Sequence, residues 1–204
     1  ASAGAACVIL DGTGAGQWRW VTQNNGREWD VDRAWDIAPD DTSLLSIVPH
    51  RGRNLFIGNS FTDGGAFQLY GSGFDTIVAG NKGARMDGFF AWGLNPHGWG
   101  WQPAWTCQFL DNELAAGNYY HFDSVAEASL EVFGARRAPY EGPMNRCSVV
   151  RRNRLLGNAH VRVGGTSRDV IVEANRVTDA DQGVFVSRTC AGVLTRGYTF
   201  ENVV

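Results

Sequence analysis

Short apolar runs that close on a polar or glycine residue recur along most of the chain. Five of them end in asparagine: Leu55-Phe56-Ile57-Gly58-Asn59, Ile77-Val78-Ala79-Gly80-Asn81, Gln108-Phe109-Leu110-Asp111-Asn112, Val149-Val150-Arg151-Arg152-Asn153 and Ile171-Val172-Glu173-Ala174-Asn175. A sixth, Val193-Leu194-Thr195-Arg196-Gly197, puts glycine where the others have asparagine. Successive closing residues lie 22, 31, 41, 22 and 22 positions apart, so two intervals exceed the common one by 9 and 19. A second set of runs follows. Phe67-Gln68-Leu69-Tyr70-Gly71, Phe89-Phe90-Ala91-Trp92-Gly93 and Val161-Arg162-Val163-Gly164 each begin 8 residues after their asparagine. Val184-Phe185-Val186 begins 9 after Asn175, and Leu130-Glu131-Val132-Phe133-Gly134 begins 18 after Asn112.

A repeat of this length with strand-like runs and no 3.6-residue periodicity predicts an all-β solenoid. Each coil buries one face of each short strand, which no coil can do alone, so the coils must stack on one continuous core. Asparagine suits the corner because it tolerates left-handed backbone and can hydrogen-bond along the stack. Glycine at the sixth corner supplies the backbone freedom without the ladder. The expected fold is a right-handed parallel β-helix of about 22 residues per coil, with handedness taken from the general bias of parallel crossovers.

Residues 54–204, on the strength of these runs, resemble the pectate-lyase-like superfamily of right-handed β-helix proteins. The resemblance is architectural and covers roughly three quarters of the chain. It implies a carbohydrate-active protein, a polysaccharide lyase or glycoside hydrolase acting on an acidic or complex polysaccharide in an extracellular or cell-surface setting. The alternative is a non-catalytic segment of an adhesin, tail-spike or fibre that binds glycans or associates end to end.

Residues 1–53 read differently. Asn24-Asn25-Gly26 between alternating runs signals a hairpin, and Leu44 to Val48 a further strand. This stretch resembles the β-hairpin elaborations of β-helix surface proteins, and is expected to pack on the first coil. Gly12-Thr13-Gly14-Ala15-Gly16 is not followed by a helix pattern, which argues against a phosphate loop. Neither end shows a polar cap, so the expectation is a section of a longer solenoid.

Composition narrows the partners. With 18 Lys+Arg against 21 Asp+Glu there is no basic footprint for nucleic acid. No apolar window is long enough for a membrane span. Cys7, Cys107, Cys147 and Cys190 are too scattered for a zinc knuckle; they read either as buried small hydrophobes or as disulfide partners in an exported protein.

Candidate chemistry gathers where the repeat is interrupted. The insertion near 93–105 carries Trp99, Trp101 and Trp105 around His97. The indoles can stack on sugar rings or fold onto the flank as a satellite core. The insertion near 115–146 carries Tyr119, His121, Asp123, Arg136 and Arg137. There, His121 and Asp123 suit acid–base work and the arginines a carboxylate clamp, the bland reading being a solvated loop. Asp63, Asp87, Asp179 and Asp181 recur at one corner of different coils. Stacked carboxylates can hold Ca²⁺ or act as a paired acid and base, though aspartate is common in turns anyway. For a lyase, His97 or His121 would remove the proton while Arg85 or Arg162 neutralises the carboxylate; for a hydrolase, Asp63 and Asp87 would be the pair.

Overall fold

A computed structural model describes residues 3–49, 51–95, 100–116, 128–135 and 142–204. Among these the chain is all-β and contains no helix, hence none that could cross a membrane. From Arg51 onward the strands form parallel sheets in which each strand pairs with its counterpart one coil away. One sheet runs Leu55–Ile57, Ile77–Ala79, Gln108–Leu110, Val149–Arg151, Ile171–Glu173, Leu194–Arg196. A second runs Arg51–Gly52, Gly73–Phe74, Ala104–Trp105, Asn145–Arg146, Ser167–Arg168.

The third sheet is built round the long strand Lys82–Gly93 and its neighbour Ser60–Tyr70. The first residues of Lys82–Gly93 pair with Glu113–Ala115, and its later residues pair with Ala128–Gly134. One arm continues through Arg154–Leu156, Arg176–Ala180 and Thr199–Val203, the other through Ala159–Gly165 and Val184–Val186. Phe67, Phe89, Leu130, Val161 and Val184, the first residues of the second set of runs, stand in one cross-coil register. The strands therefore keep one register on both sides of the insertions.

Residues of left-handed backbone make the corners. Arg53, Asp75, Thr106, Cys147, Asp169 and Gly192 precede the first sheet, and Gly58, Gly80, Asp111, Arg152, Ala174 and Gly197 follow it, always five positions later. Five further on come Asp63, Arg85, Gly157, Asp179 and Asn202, all again with positive φ. The asparagines themselves do not take this conformation; the residue before each one does. Most of these corner residues have side chains, which costs on the order of 1 kcal/mol at each such corner, so the bends are imposed by what lies on either side of them.

What lies beside them is a ladder of buried amides. The backbone N–H and Nδ2 of Asn59 both donate to Asn81 Oδ1, at 2.9 Å each. Asn81 donates in the same way to Asn112, Asn112 to Asn153, and Asn153 to Asn175. The second Nδ2 proton of each goes to a strand carbonyl of the preceding coil, Phe56, Val78, Phe109 or Val150. The last step ends on Tyr198, whose hydroxyl accepts from Asn175 Nδ2 at 3.4 Å. Register places Glu173 opposite Arg196 and Arg176 opposite Thr199, so the residue in the asparagine position of the sixth coil is Tyr198 rather than Gly197, and that coil is one residue longer.

The core fills the space between the sheets with Val78, Phe89, Phe109, Leu114, Leu130, Val150, Leu155, Val161, Val172 and Val177, all fully buried. The N-terminal strands Trp29–Val31, Trp18–Asn24, Ala5–Asp11 and Leu44–Pro49 form a separate antiparallel sheet in that order. Asn24 pairs with Trp29 across the anticipated Asn-Gly turn. Ala6, Val8 and Leu10 of this sheet pack against Phe74, Trp105 and Met144. It thus covers the flank of several coils instead of the first alone. Its other face is closed by a loop that Arg19 ties down, donating to the carbonyls of Ala34 and Trp18 and to Asp36. All four cysteines are free thiols; burial raises Cys7 to about 11 and Cys107 to about 12.

Replacing Asn112 by alanine strands the two donors of Asn81 and the Val78 carbonyl inside the stack, and should cost about 3 kcal/mol or more. Asn59→Ala, at the exposed first coil, should cost under about 1 kcal/mol. Urea unfolding of both variants checks this; equal losses would show that the ladder is not what holds the corner.

Candidate functional site

Of the corner aspartates, Asp63 is paired with an arginine. Asp63 faces Arg85 on the next coil, which donates from Nε and Nη2 at 2.5 and 2.6 Å. The guanidinium holds the Asp63 carboxyl below the usual range and neutralises it, which suits neither an acid nor a Ca²⁺ ligand. Arg85 is equally engaged and has no free fork for a substrate. Asp87 is half-buried, two residues past the corner and level with Gly65. Asp179 accepts from Asn202, and the Asp181 backbone N–H donates to Asn158. Among the described residues no three His, Cys, Asp or Glu side chains group as a metal site.

The tryptophans of the first insertion divide. Trp105 is 1% exposed beneath the N-terminal sheet, and Trp101 packs on the same cluster. Both serve a satellite core, and Trp105 presents no face to a ligand. Trp99, His97, Tyr119 and His121 lie outside the described residues, as do Asp123, Arg136 and Arg137.

Arg162 is different. It stands on the outward face of the arm formed by Lys82–Gly93, Ala128–Gly134, Ala159–Gly165 and Val184–Val186. Successive side chains of a strand point to opposite faces, and Phe89, Ala91, Leu130, Val132, Val161 and Val163 point into the core. Their neighbours therefore form rows on the outside. One row is Gln68, Phe90, Glu131, Arg162 and Phe185; the next is Tyr70, Trp92, Phe133 and Gly164. Tyr70, Trp92 and Phe133 follow one another along the stack with ring centroids 5.9 Å apart at each step. Phe90 stacks on Trp92, 5.1 Å away and nearly parallel. A side chain at Gly164 would collide with the Phe133 ring, so glycine there lets that ring lie against the sheet.

Beside this aromatic row sits Glu131, 5% exposed. Among the described residues it faces Arg162, whose Nε stands 3.6 Å away. Burial raises the Glu131 carboxyl above its ordinary range, against the opposing pull of the Arg162 charge and the Trp92 indole. His160, also buried, precedes Arg162 by two on the same strand. Together with Gln182 and Phe185, His160 and Arg162 line a cleft of about 230 Å³. A carboxyl that tends to keep its proton, a cation and a run of flat rings can together stack on a ring-shaped ligand and exchange a proton with it.

Sequence reasoning named Arg162 and missed Glu131, His160, Tyr70, Phe90, Trp92, Phe133 and Phe185. The signal was present in the aligned second runs, whose second and fourth positions are the outward ones. No protein-family model, curated protein or solved structure matches the chain.

A carboxyl raised by folding contributes stability that is present below its unfolded value and lost as pH rises through its folded one. Glutamine undergoes no such ionisation. The thermal midpoint of Glu131→Gln should therefore gain on the parent as pH rises above the ordinary glutamate value of about 4. A difference independent of pH, measured by scanning fluorimetry, would show that Glu131 keeps an ordinary pKa.

Proposed function

We propose that this chain is a right-handed parallel β-helix protein, of the pectate-lyase-like kind, that binds polysaccharide along the outward face bearing Tyr70, Trp92 and Phe133. The observation that carries the reading is the aromatic row itself. Three rings on three successive coils give one flat apolar surface per coil, and flat rings of this kind pack on the apolar faces of sugars. Parallel strands joined coil by coil support the right-handed winding, since such crossovers take that hand almost always. A surface or extracellular setting, where polysaccharides are met, belongs to the same proposal.

Cleavage of the bound chain is a second reading, favoured by Glu131. A buried carboxyl whose pKa is raised by desolvation, beside a sugar platform, is placed to protonate a leaving glycosidic oxygen. Asp63 has no part in this version, because Arg85 already neutralises it.

Calorimetric titration against a panel of soluble polysaccharides tests the binding reading. Trp92→Ala and Tyr70→Ala should each weaken binding by about tenfold or more, with folding intact by circular dichroism. Unchanged affinity in both would remove the row from the site. For cleavage, unsaturated products absorbing in the ultraviolet would mark a lyase and new reducing ends a hydrolase. Glu131→Gln should abolish either while retaining binding.

A further inference from the structure

We propose that the outward face of the first sheet is a two-fold interface, through which two copies of this chain pair with their coils stacked in opposite directions. The inference is independent of the glycan reading. The face bearing Tyr70, Trp92 and Phe133 belongs to another sheet and stays open in such a pair.

In each strand of the first sheet the middle residue, such as Val78, Phe109, Val150 or Val172, points into the core, so the residues on either side of it point out. The first outward column is Leu55, Ile77, Gln108, Val149, Ile171 and Leu194. All but Gln108 are aliphatic. Leu55 is 65% exposed and Leu194 45%, and those between them are half-buried. No insertion interrupts this face: its two bounding corners stand five positions apart on every coil, and the excursions leave from other parts of the coil. An aliphatic strip kept clear in this way marks a contact with another protein.

The order of the column says which protein. Read from either end it begins Leu-Ile, and the two halves meet at Gln108 and Val149. A two-fold interface requires a patch that matches itself under such a reversal. An axis along the strands, between the third and fourth coils, sets Leu55 on Leu194, Ile77 on Ile171 and Gln108 on Val149. The second column decides against pairing in the same direction. It is apolar on the first three coils, with Ile57, Ala79 and Leu110, and charged on the last three, where Arg151 and Arg196 both pair with Glu173. Pairing in the same direction brings the two charged ends, each of net positive sign, together. Opposed pairing separates them and lays the arginine stems across the aliphatic half of the other copy.

The size of the strip sets the strength. Strands about 4.8 Å apart make it about 30 Å long, and two outward columns make it about 15 Å wide. Pairing therefore buries on the order of 900 Å² in all, below a standard interface and in the range of reversible association. The dissociation constant is expected on the order of 10–100 µM.

Sedimentation velocity of the whole chain from about 10 µM to about 1 mM tests this. The parent should pass from monomer to dimer and no further. Ile77→Glu and Ile171→Lys should each raise the dissociation constant at least about tenfold, with circular dichroism and the thermal midpoint showing the coils intact. Should the lysine variant unfold, Ile171→Thr keeps a branched, strand-forming side chain and weakens the dimer in the same direction. An equimolar mixture of Ile77→Glu and Ile171→Lys copies should regain the dimer, because position 77 of one copy meets position 171 of the other and an opposite-charge pair forms there. Pairing in the same direction sets position 77 against position 79 and gives no recovery. The proposal is overturned if the parent stays monomeric, if the dimer survives the substitutions, or if the mixture fails to recover it. Growth beyond the dimer would point to end-to-end stacking and overturns it as well.

Discussion

The amide ladder is the constraint on which the rest of this structure depends. Each buried asparagine uses its oxygen twice and its nitrogen twice, and both kinds of bond join neighbouring coils. An unsatisfied amide in this interior would cost more than a satisfied one contributes. The asparagines must therefore come into line, and aligning them sets the register of the strands on both sides. The left-handed corner beside each one follows from that alignment. So does the variety of residues found there, from glycine to Arg152 and Ala174.

With register fixed inside, the outer faces become rows of side chains one coil apart. Charges alternate in sign along several of them: Asp63 with Arg85, Asp111 with Arg152, Glu113 with Arg154, and Glu173 between Arg151 and Arg196. In a chain with 18 basic and 21 acidic residues, these described charges thus sit beside an opposite one. Most of these pairs are exposed, where a salt bridge adds little to stability. The row of Tyr70, Trp92 and Phe133 departs from this, with aromatics where the others have charges, and Glu131 in the row beside it is drawn into the surface.

The repeat, the first-sheet strands and the register of Phe67, Phe89, Leu130, Val161 and Val184 could all be read from the chain. They depend on local apolar runs and on counting. In the sixth coil the ladder position lies one residue beyond the glycine that closes the run, because Gly197 makes the left-handed corner while Tyr198 takes over the ladder with a hydroxyl in place of an amide. The left-handed conformation was assigned to the asparagines on their intrinsic tolerance, but their burial reserves them for hydrogen bonding and moves the bend one residue earlier. The candidate site was harder. Phe90 meets Glu131 across 41 positions and Glu131 meets Arg162 across 31, so those neighbours emerge only after each insertion has been assigned to its place in the coil. Recurring aspartates suggested a carboxylate pair because the sequence does not reveal that an arginine occupies the same corner one coil along.

The five-residue spacing of the corners divides each coil into two kinds of territory. From the corner before the first sheet to the one inside the third sheet, five of the six coils keep the same ten-residue course. Beyond it, between the outward-facing arm and the next short strand, no such metre applies. Two successive coils carry excursions of equal length there, at 94–103 and 135–144, while Gly165 passes almost directly to Ser167. The molecule thus has a built-in grafting edge, where segments can be lengthened, exchanged or removed while the stack keeps its count, and that edge borders the face on which the aromatic row is displayed.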